Sequence, residues 1–297
     1  MDTKVGRGVV VGVDGSDSAL RAVRWAADEA IRRREPLRLV NAFSWTEEHV
    51  VGMPGLGAQY RDILLSQSRT ALAKAVAMAT ERQPALEVSH ELRVGFPIGT
   101  LVDEARRARL MVIGDRGQNS ITGLLAGSVA VALAAHTACP VVVVRGDERP
   151  DSATLPIVLG VDASPVSEAA IAFAYQAAAE RRVPLVAVHS WTEAFAAPAL
   201  TSLAYRSEDQ AHEEELLAQR LAGWAEKYPD VQVTRIVRHD RAAHILIEES
   251  RSAQLVIVGS RGHSEFAGLV LGSVSNALVH KAACPVAIVR PDFAERA

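Results

Sequence analysis

The chain has 297 residues, against ~150 for an average domain, and is 49% apolar and 23% charged, a globular composition with material for two cores. Its 32 Lys and Arg against 35 Asp and Glu leave a formal charge of −3, so no basic surface for a nucleic-acid backbone is expected. Only four residues are lysine (Lys4, Lys74, Lys227, Lys281) and none follows a glycine, which excludes the G-x4-G-K-[ST] phosphate loop and with it the classical P-loop NTPases.

Val9 to Val13 is a short β-branched run of the kind that forms a strand buried on both faces. Ser16 then offers an N-cap to a helix carrying Leu20, Val23, Ala27 and Ile31 at helical spacing. Leu37 to Phe43 reads as a second strand, followed by a loop with Gly52, Pro54, Gly55 and Gly57 and a long helix near 58–82. A third strand, Leu86 to Val94, and a short helix lead to a fourth, Leu110 to Ile113, which ends on a glycine; the fifth is Val141 to Val144. Cys139, directly before the fifth strand, and its counterpart Cys284 read as small buried hydrophobes, since two thiols make no disulfide framework. The N-terminus lacks the apolar stretch of a signal peptide, and the longest apolar run, Val129 to Val144, is too short to span a bilayer. A cytoplasmic protein without membrane insertion is expected.

The pattern then repeats. Val9–Ala30 aligns with Ile157–Ala178, and Val112–Leu133 aligns with the segment starting at Ile257; ACPVVVVR and ACPVAIVR close the two copies at Arg145 and Arg290. The second copy opens its first helix with Ser164-Pro165, a cap followed by proline at the first helical position. Its remaining elements are strands at Leu185–Trp191, Val231–Val237, Leu255–Val258 and Val286–Val289 and a long helix near 207–228. The polar, proline-bearing stretch between the copies divides the chain into domains at 1–147 and 155–297, with a linker at 148–154. The fold class is α/β: two tandem Rossmann-like domains, each a five-stranded, mostly parallel sheet with helices on both faces.

In such sheets ligands bind beyond the carboxyl ends of the strands, where the strand order reverses. After strand four the first copy reads Gly114-Asp115-Arg116-Gly117, nine residues, then Gly127-Ser128-Val129. The second reads Gly259-Ser260-Arg261-Gly262, nine residues, then Gly272-Ser273-Val274. Glycines there let backbone amides approach an anion, and the glycine-serine pair opens a helix whose free N–H groups would bind phosphate. Two strand-to-helix turns that merely need small residues would use the same types, but the doubled spacing at this point of the fold favours phosphate. Gln118 and His263, next after the second glycines, complete the loop candidates. After strand one stand Gly12-Val13-Asp14 and Gly160-Val161-Asp162, which are not a G-x-G-x-x-G loop. Each aspartate reads either as a ribose or Mg²⁺-water acceptor or as an Asx-turn. The ends of the second strands, at Ala42 and Ser190, could read a base through their main chain. Glu47 and Glu193 read first as solvated loop acids, with Glu193 kept as a candidate at the mouth. His239 and His244 lack the spacing of a zinc site, no G-x-S-x-G elbow occurs, and Glu213-Glu214-Glu215 reads as a solvated helix face.

These motifs resemble the universal stress protein family in its tandem two-domain form, and G-x2-G-x9-G-S resembles its ATP-binding branch. The resemblance runs from Gly8-Val-Val-Val-Gly-Val-Asp14 to Pro291. It implies an adenine-nucleotide alpha-hydrolase-like fold that binds ATP, with Mg²⁺ accompanying it, and acts in stress, hypoxia or growth control. On that template Asp14 and Asp162 face ribose and the main chain of Ala42 and Ser190 faces adenine. Gly114, Gly117, Gly127, Ser128 and Val129, with Gly259, Gly262, Gly272, Ser273 and Val274, surround the phosphates. Asp115 stands where the second copy has Ser260, and a carboxylate there is expected to weaken triphosphate binding in the first copy unless Arg116 or a metal offsets it. His239-Asp240-Arg241 replaces Gly95-Phe96-Pro97 at the same mouth. No general base recurs in both copies, which favours a nucleotide-binding regulator over the alternative, a slow ATPase or nucleotidyl or phosphoryl transferase. The two halves are expected to pair through their fifth strands, and the whole chain to form a homodimer acting on a downstream protein.

Overall fold

The computed structural model describes residues 8–45, 56–117, 127–146, 151–162, 164, 167–191, 203–260 and 271–293. No helix among them is long and apolar enough to cross a membrane. The chain divides into two compact units, 1–144 and 145–297.

The first unit runs β1 (Val9–Gly12), α1 (Asp17–Arg33), β2 (Leu37–Phe43), α2 (Leu56–Arg82), β3 (Val88–Val94), α3 (Pro97–Ala105), β4 (Leu110–Gly114), α4 (Ser128–His136) and β5 (Val141–Val144). Its strands lie in the order β3-β2-β1-β4-β5, and all are parallel. The second unit repeats this with β6 (Ile157–Val161), α5 (Glu168–Arg181), β7 (Leu185–Trp191), α6 (Leu203–Lys227), β8 (Val233–His239), α7 (Ala242–Glu249), β9 (Leu255–Gly259), α8 (Ser273–Lys281) and β10 (Val286–Val289), in the order β8-β7-β6-β9-β10. Those pairings are parallel too.

The central strands are built from apolar runs that both faces of the sheet bury. Val9, Val11, Leu37, Leu39, Leu110, Val112 and Val142 are fully buried, and so are Ile157, Leu159, Leu185, Val256 and Val286. Each such side chain stabilises its unit by about 1.5–3 kcal/mol. The chain winds outward from β1 to β3 and then returns to β4. Right-handed crossovers therefore place α1 and α2 over one face and α3 and α4 over the other. In α1, Ala19, Ala22, Ala26 and Ala30 are buried, small enough to let the helix lie close on the strands. Both first helices end on an arginine in the left-handed region, Arg34 (φ 56°) and Arg182 (φ 54°), each closing the last turn with its amide.

Three elements differ from the sequence expectation. The third strands start two residues late, at Val88 rather than Leu86 and at Val233 rather than Val231; the Leu86 and Val231 amides instead close turns on Gln83 and Tyr228. The first helix of that unit begins at Glu168, not beside Ser164: the Ser164 hydroxyl is turned back to Asp162, and Ser167 occupies the cap position without a side-chain bond to the helix.

Candidate functional site

The strand order of each unit reverses between its first and fourth strands, so β1 and β4, or β6 and β9, open a cleft at their carboxyl ends. In the first unit Asp14 leaves β1 and folds into an Asx-turn: its Oδ1 accepts from the Ser16 amide at 3.0 Å and the Ser16 hydroxyl at 2.7 Å. Gly15 makes the turn possible with φ 89°, and Ser16 Oγ caps α1 by accepting from the Ala19 amide at 3.1 Å. Asp162 repeats the turn, accepting from the Ser164 amide at 3.2 Å and hydroxyl at 2.5 Å. Both aspartates are half-buried at the cleft.

A second pair of residues fixes these strand ends, and sequence reasoning assigned it no role. Asn41, buried on β2, donates through Nδ2 to the Val13 carbonyl at 2.7 Å. At the matching place on β7, buried His189 sets Nδ1 2.9 Å from the Val161 carbonyl and Nε2 2.8 Å from Glu213 Oε2. The signal was a polar residue inside each otherwise apolar strand core, where a buried donor must have a partner. Glu213 is accordingly not part of a solvated face: it turns inward, while Glu214 and Glu215 stay exposed and accept from Gln210 and Gln219.

The turn after β4 brings Asp115, Arg116 and Gly117 to the start of α1. A Cβ on Gly114 would lie 2.3 Å from Ser18 Oγ and 2.6 Å from its carbonyl carbon, so this glycine serves packing against α1. Gly12 and Gly160 likewise make room for Leu101 and Leu246. Asp115 is buried with Oδ1 accepting from Ser18 Oγ at 2.7 Å, and the guanidiniums of Arg21 and Arg116 each stand 3.5 Å from its carboxylate. The carboxylate is turned toward α1 with two cations beside it, Arg116 among them, which is the arrangement under which its charge on a triphosphate is expected to be offset. A Cβ on Gly117 would stand 2.9 Å from Asp14 Oδ2, so the loop and the Asx-turn aspartate share one edge of the cleft.

The chain then returns to the same place. The Gly127 amide donates to the Asp115 carbonyl at 2.8 Å, and the Gly272 amide to the Ser260 carbonyl at 2.9 Å. Each glycine is the N-cap of the helix that follows, α4 or α8, and neither helix has a side-chain cap. Ser128 and Val129, or Ser273 and Val274, thus present first-turn amides and an exposed serine beside the β4 or β9 end. Gly127 has φ −58° and Gly272 φ −62°, ordinary values for any residue. Among the described residues a Cβ on Gly127 would meet nothing closer than the Asp115 carbonyl oxygen at 3.8 Å, so their packing does not call for a glycine at 127.

Ala42 and Ser190 lie one residue before the ends of β2 and β7, paired with Arg93 and Arg238. Gly259 ends β9 and accepts from Ser275 Oγ at 2.6 Å, and Ser260 is buried. His239 stacks edge-on against Trp191 at 4.6 Å and His244 is bound to Asp240 at 2.6 Å, so the two imidazoles have separate partners. Gln118, Glu47, Glu193, Arg261, Gly262 and His263 lie outside the described residues.

The sequence model of the universal stress protein family matches the chain twice, at residues 7–145 and 154–290. A universal stress protein of Mycobacterium tuberculosis is 40% identical over 293 residues, covering 95% of this chain and 97% of its own. One from Mycolicibacterium smegmatis is 38% identical over 291 residues, covering 96% and 97%. Among solved structures, a universal stress protein from Archaeoglobus fulgidus superposes with a TM-score of 0.70 at 15% identity, covering 97% of this chain and all of that one. The chain belongs to the universal stress protein family, with one family domain in each half.

Proposed function

We propose that each half binds ATP in the cleft between its first and fourth strands, and that the chain is a nucleotide-dependent regulator of stress or growth responses. The observation that carries this reading is Gly127: a glycine that neither its backbone conformation nor packing by the described residues requires, capping a helix that has no side-chain cap, beside the turned-back Asp115 carbonyl. A phosphate approaching closely would require it. The contrast with α1 supports the same reading, because there Ser16 satisfies the helix's own N-terminus.

In this arrangement the phosphates meet the amides of Gly117, Ser128 and Val129 and the Ser128 hydroxyl; in the second half Ser273 and Val274 take the same places. Asp14 and Asp162 accept from ribose or hold a Mg²⁺-bound water, and the main chain of Ala42 and Ser190 lies toward adenine. Magnesium would neutralise phosphate charge. In the first half, binding rather than turnover fits the described cations at the loop: phosphoryl transfer needs one to stabilise the transferred group, and both Arg21 and Arg116 are drawn to Asp115.

The test is mass spectrometry of nucleotide released from the denatured, purified protein, followed by titration calorimetry of nucleotide-stripped protein. ATP at up to two equivalents per chain, falling toward one in Gly127→Ala with the fold intact, is the expected result. No bound nucleotide and no heat with ATP would overturn the reading.

A further inference from the structure

We infer that Ser18 and Asp115 are positioning residues for the phosphate loop of the first half, and that the second half, whose described residues make no such clamp, is the weaker of the two ATP sites. The inference rests on the ATP reading and adds to it which half holds nucleotide more tightly and which side chains decide it.

In the first half one hydroxyl serves two groups of the loop. Ser18 Oγ donates to Asp115 Oδ1 at 2.7 Å and accepts from the Arg116 amide at 3.3 Å. A serine hydroxyl has one proton to give and lone pairs that receive, so the two bonds are compatible. Ser16 Oγ lies 3.3 Å from the Arg116 carbonyl, and the Arg21 guanidinium stands 3.5 Å from the Asp115 carboxylate. The start of α1 thus holds Asp115 by its side chain and Arg116 by its amide. The next residue is Gly117, whose amide is assigned to the phosphates and whose position borders Asp14 Oδ2. Ser18 and Asp115 are buried and engaged with each other, so they act on a nucleotide through the direction of that peptide and not by contact.

The loop after β9 has the same backbone frame. The Asp115 amide donates to the Val144 carbonyl at 3.1 Å, and the Ser260 amide to the Val289 carbonyl at 2.9 Å. Both carbonyls accept from the glycine that caps the following helix, Gly127 at 2.8 Å and Gly272 at 2.9 Å. The side chains at 115 and 260 therefore leave the loop in the same direction, toward the start of the first helix of their unit.

What they meet there differs. Ser260 Oγ is buried with no hydrogen-bond partner. In the aligned repeat Val166 stands at the place of Ser18 and Ala169 at that of Arg21. The two described serines ahead of α5 bond within their own turn: Ser164 Oγ to Asp162 Oδ1 at 2.5 Å, and Ser167 Oγ to the Asp162 and Ser164 carbonyls at 2.9 Å each. Ser16 and Ser18 reach across to the loop after β4; Ser164 and Ser167 do not reach the one after β9.

The consequence has a sign. A loop that is already fixed when nucleotide arrives loses little further freedom, whereas ordering the backbone of one residue on binding costs about a factor of ten in affinity. ATP therefore binds the first half about tenfold more tightly than the second. Asp115 brings a carboxylate toward the triphosphate, but two guanidinium groups stand beside it and its oxygen holds the loop.

The experiment is calorimetric titration of the stripped, full-length protein with ATP, for wild type, Gly127→Ala, Ser18→Ala and Asp115→Asn. Wild type should show two classes of site about tenfold apart, and Gly127→Ala, which alters the first cleft, should remove the tighter one. These two proteins test the sign without touching the clamp. Ser18→Ala should keep two equivalents of ATP and bring the tight class down to the weak one; a merely structural serine would cost an equivalent and leave affinity at the remaining site unchanged. Asp115→Asn keeps an oxygen for the Ser18 hydroxyl and should retain the tight class. Equal sites in wild type, loss of the weaker class in Gly127→Ala, or a tight class that survives or vanishes outright in Ser18→Ala would overturn the inference while the ATP reading stands. Absence of ATP binding in wild type would instead remove the ATP reading itself.

Discussion

Ser18 and Asp115 are 97 positions apart in the chain and meet through a 2.7 Å hydrogen bond in a buried place where α1 begins and β4 ends. The contact ties the loop after β4 to the same helix start that Ser16 caps, and it uses the carboxylate for structure. Asp115→Ser should therefore cost about 2 kcal/mol, because it leaves Arg21 without its buried partner. It should not raise ATP affinity in the first half. Urea denaturation of the variant reads the first quantity and calorimetry the second; unchanged stability with tighter ATP would restore the repulsion argument.

Two glycines of the same loop system should respond oppositely to one added methyl. Gly114→Ala drives a Cβ into the Ser18 backbone, 2.6 Å from its carbonyl carbon and 2.8 Å from its oxygen, and should destabilise the first unit by about 3 kcal/mol or more. Gly127→Ala meets no atom of the described residues closer than 3.8 Å and should change stability by less than about 1 kcal/mol while impairing ATP binding. Thermal melting with and without ATP separates the two outcomes.

Acid should loosen the first unit through Glu104. Burial alone would raise this carboxyl, but hydrogen bonds from Arg38 (2.8 Å) and Arg93 (2.7 Å) outweigh it and hold the group below the ordinary glutamate value. A carboxyl depressed in the folded state contributes stability above its unfolded pKa, and that contribution is lost as pH falls through the folded one. Denaturation midpoints should drop as pH is lowered below 4.5, the ordinary glutamate value. Glu104→Gln should lower the midpoint at pH 7 and flatten the acid limb; an unaltered acid limb would refute this.

On the exposed start of α7 the imidazole of His244 is held above its ordinary value, chiefly by its hydrogen bond to Asp240 and then by the charges of Asp240 and Glu248. A proton NMR titration should place its midpoint above 6.5, and Asp240→Asn should bring it down. A midpoint indifferent to Asp240 would show that the 2.6 Å contact does not persist in solution.

The strands were the most legible part of the sequence. A run such as Val141–Val144, buried on every residue, has no other stable home, and β2, β7, β5 and β10 fall where their apolar composition puts them. The duplicated glycine spacing likewise marked where β4 and β9 end and where α4 and α8 begin. What stayed hidden depended on partners far away in the chain. The direction of Asp115 is decided by Ser18 and Arg21 on another element, and the inward turn of Glu213 by a histidine 24 positions earlier. Ser164 looks like a helix cap because serine-proline is a local signal, yet α5 starts only at Glu168, and Ser164 serves the Asp162 turn instead.

The left-handed arginines Arg34 and Arg182 offer a different use of this architecture. Each sits where a Cβ is disfavoured, after the last turn of a helix and just before β2 or β7 begins, at the opposite end of the sheet from the clefts. Exchanging either for glycine relieves backbone strain of about 1 kcal/mol. Thermal tolerance can thus be engineered from the far rim of each unit, one half at a time, with the ligand-facing rim left chemically untouched.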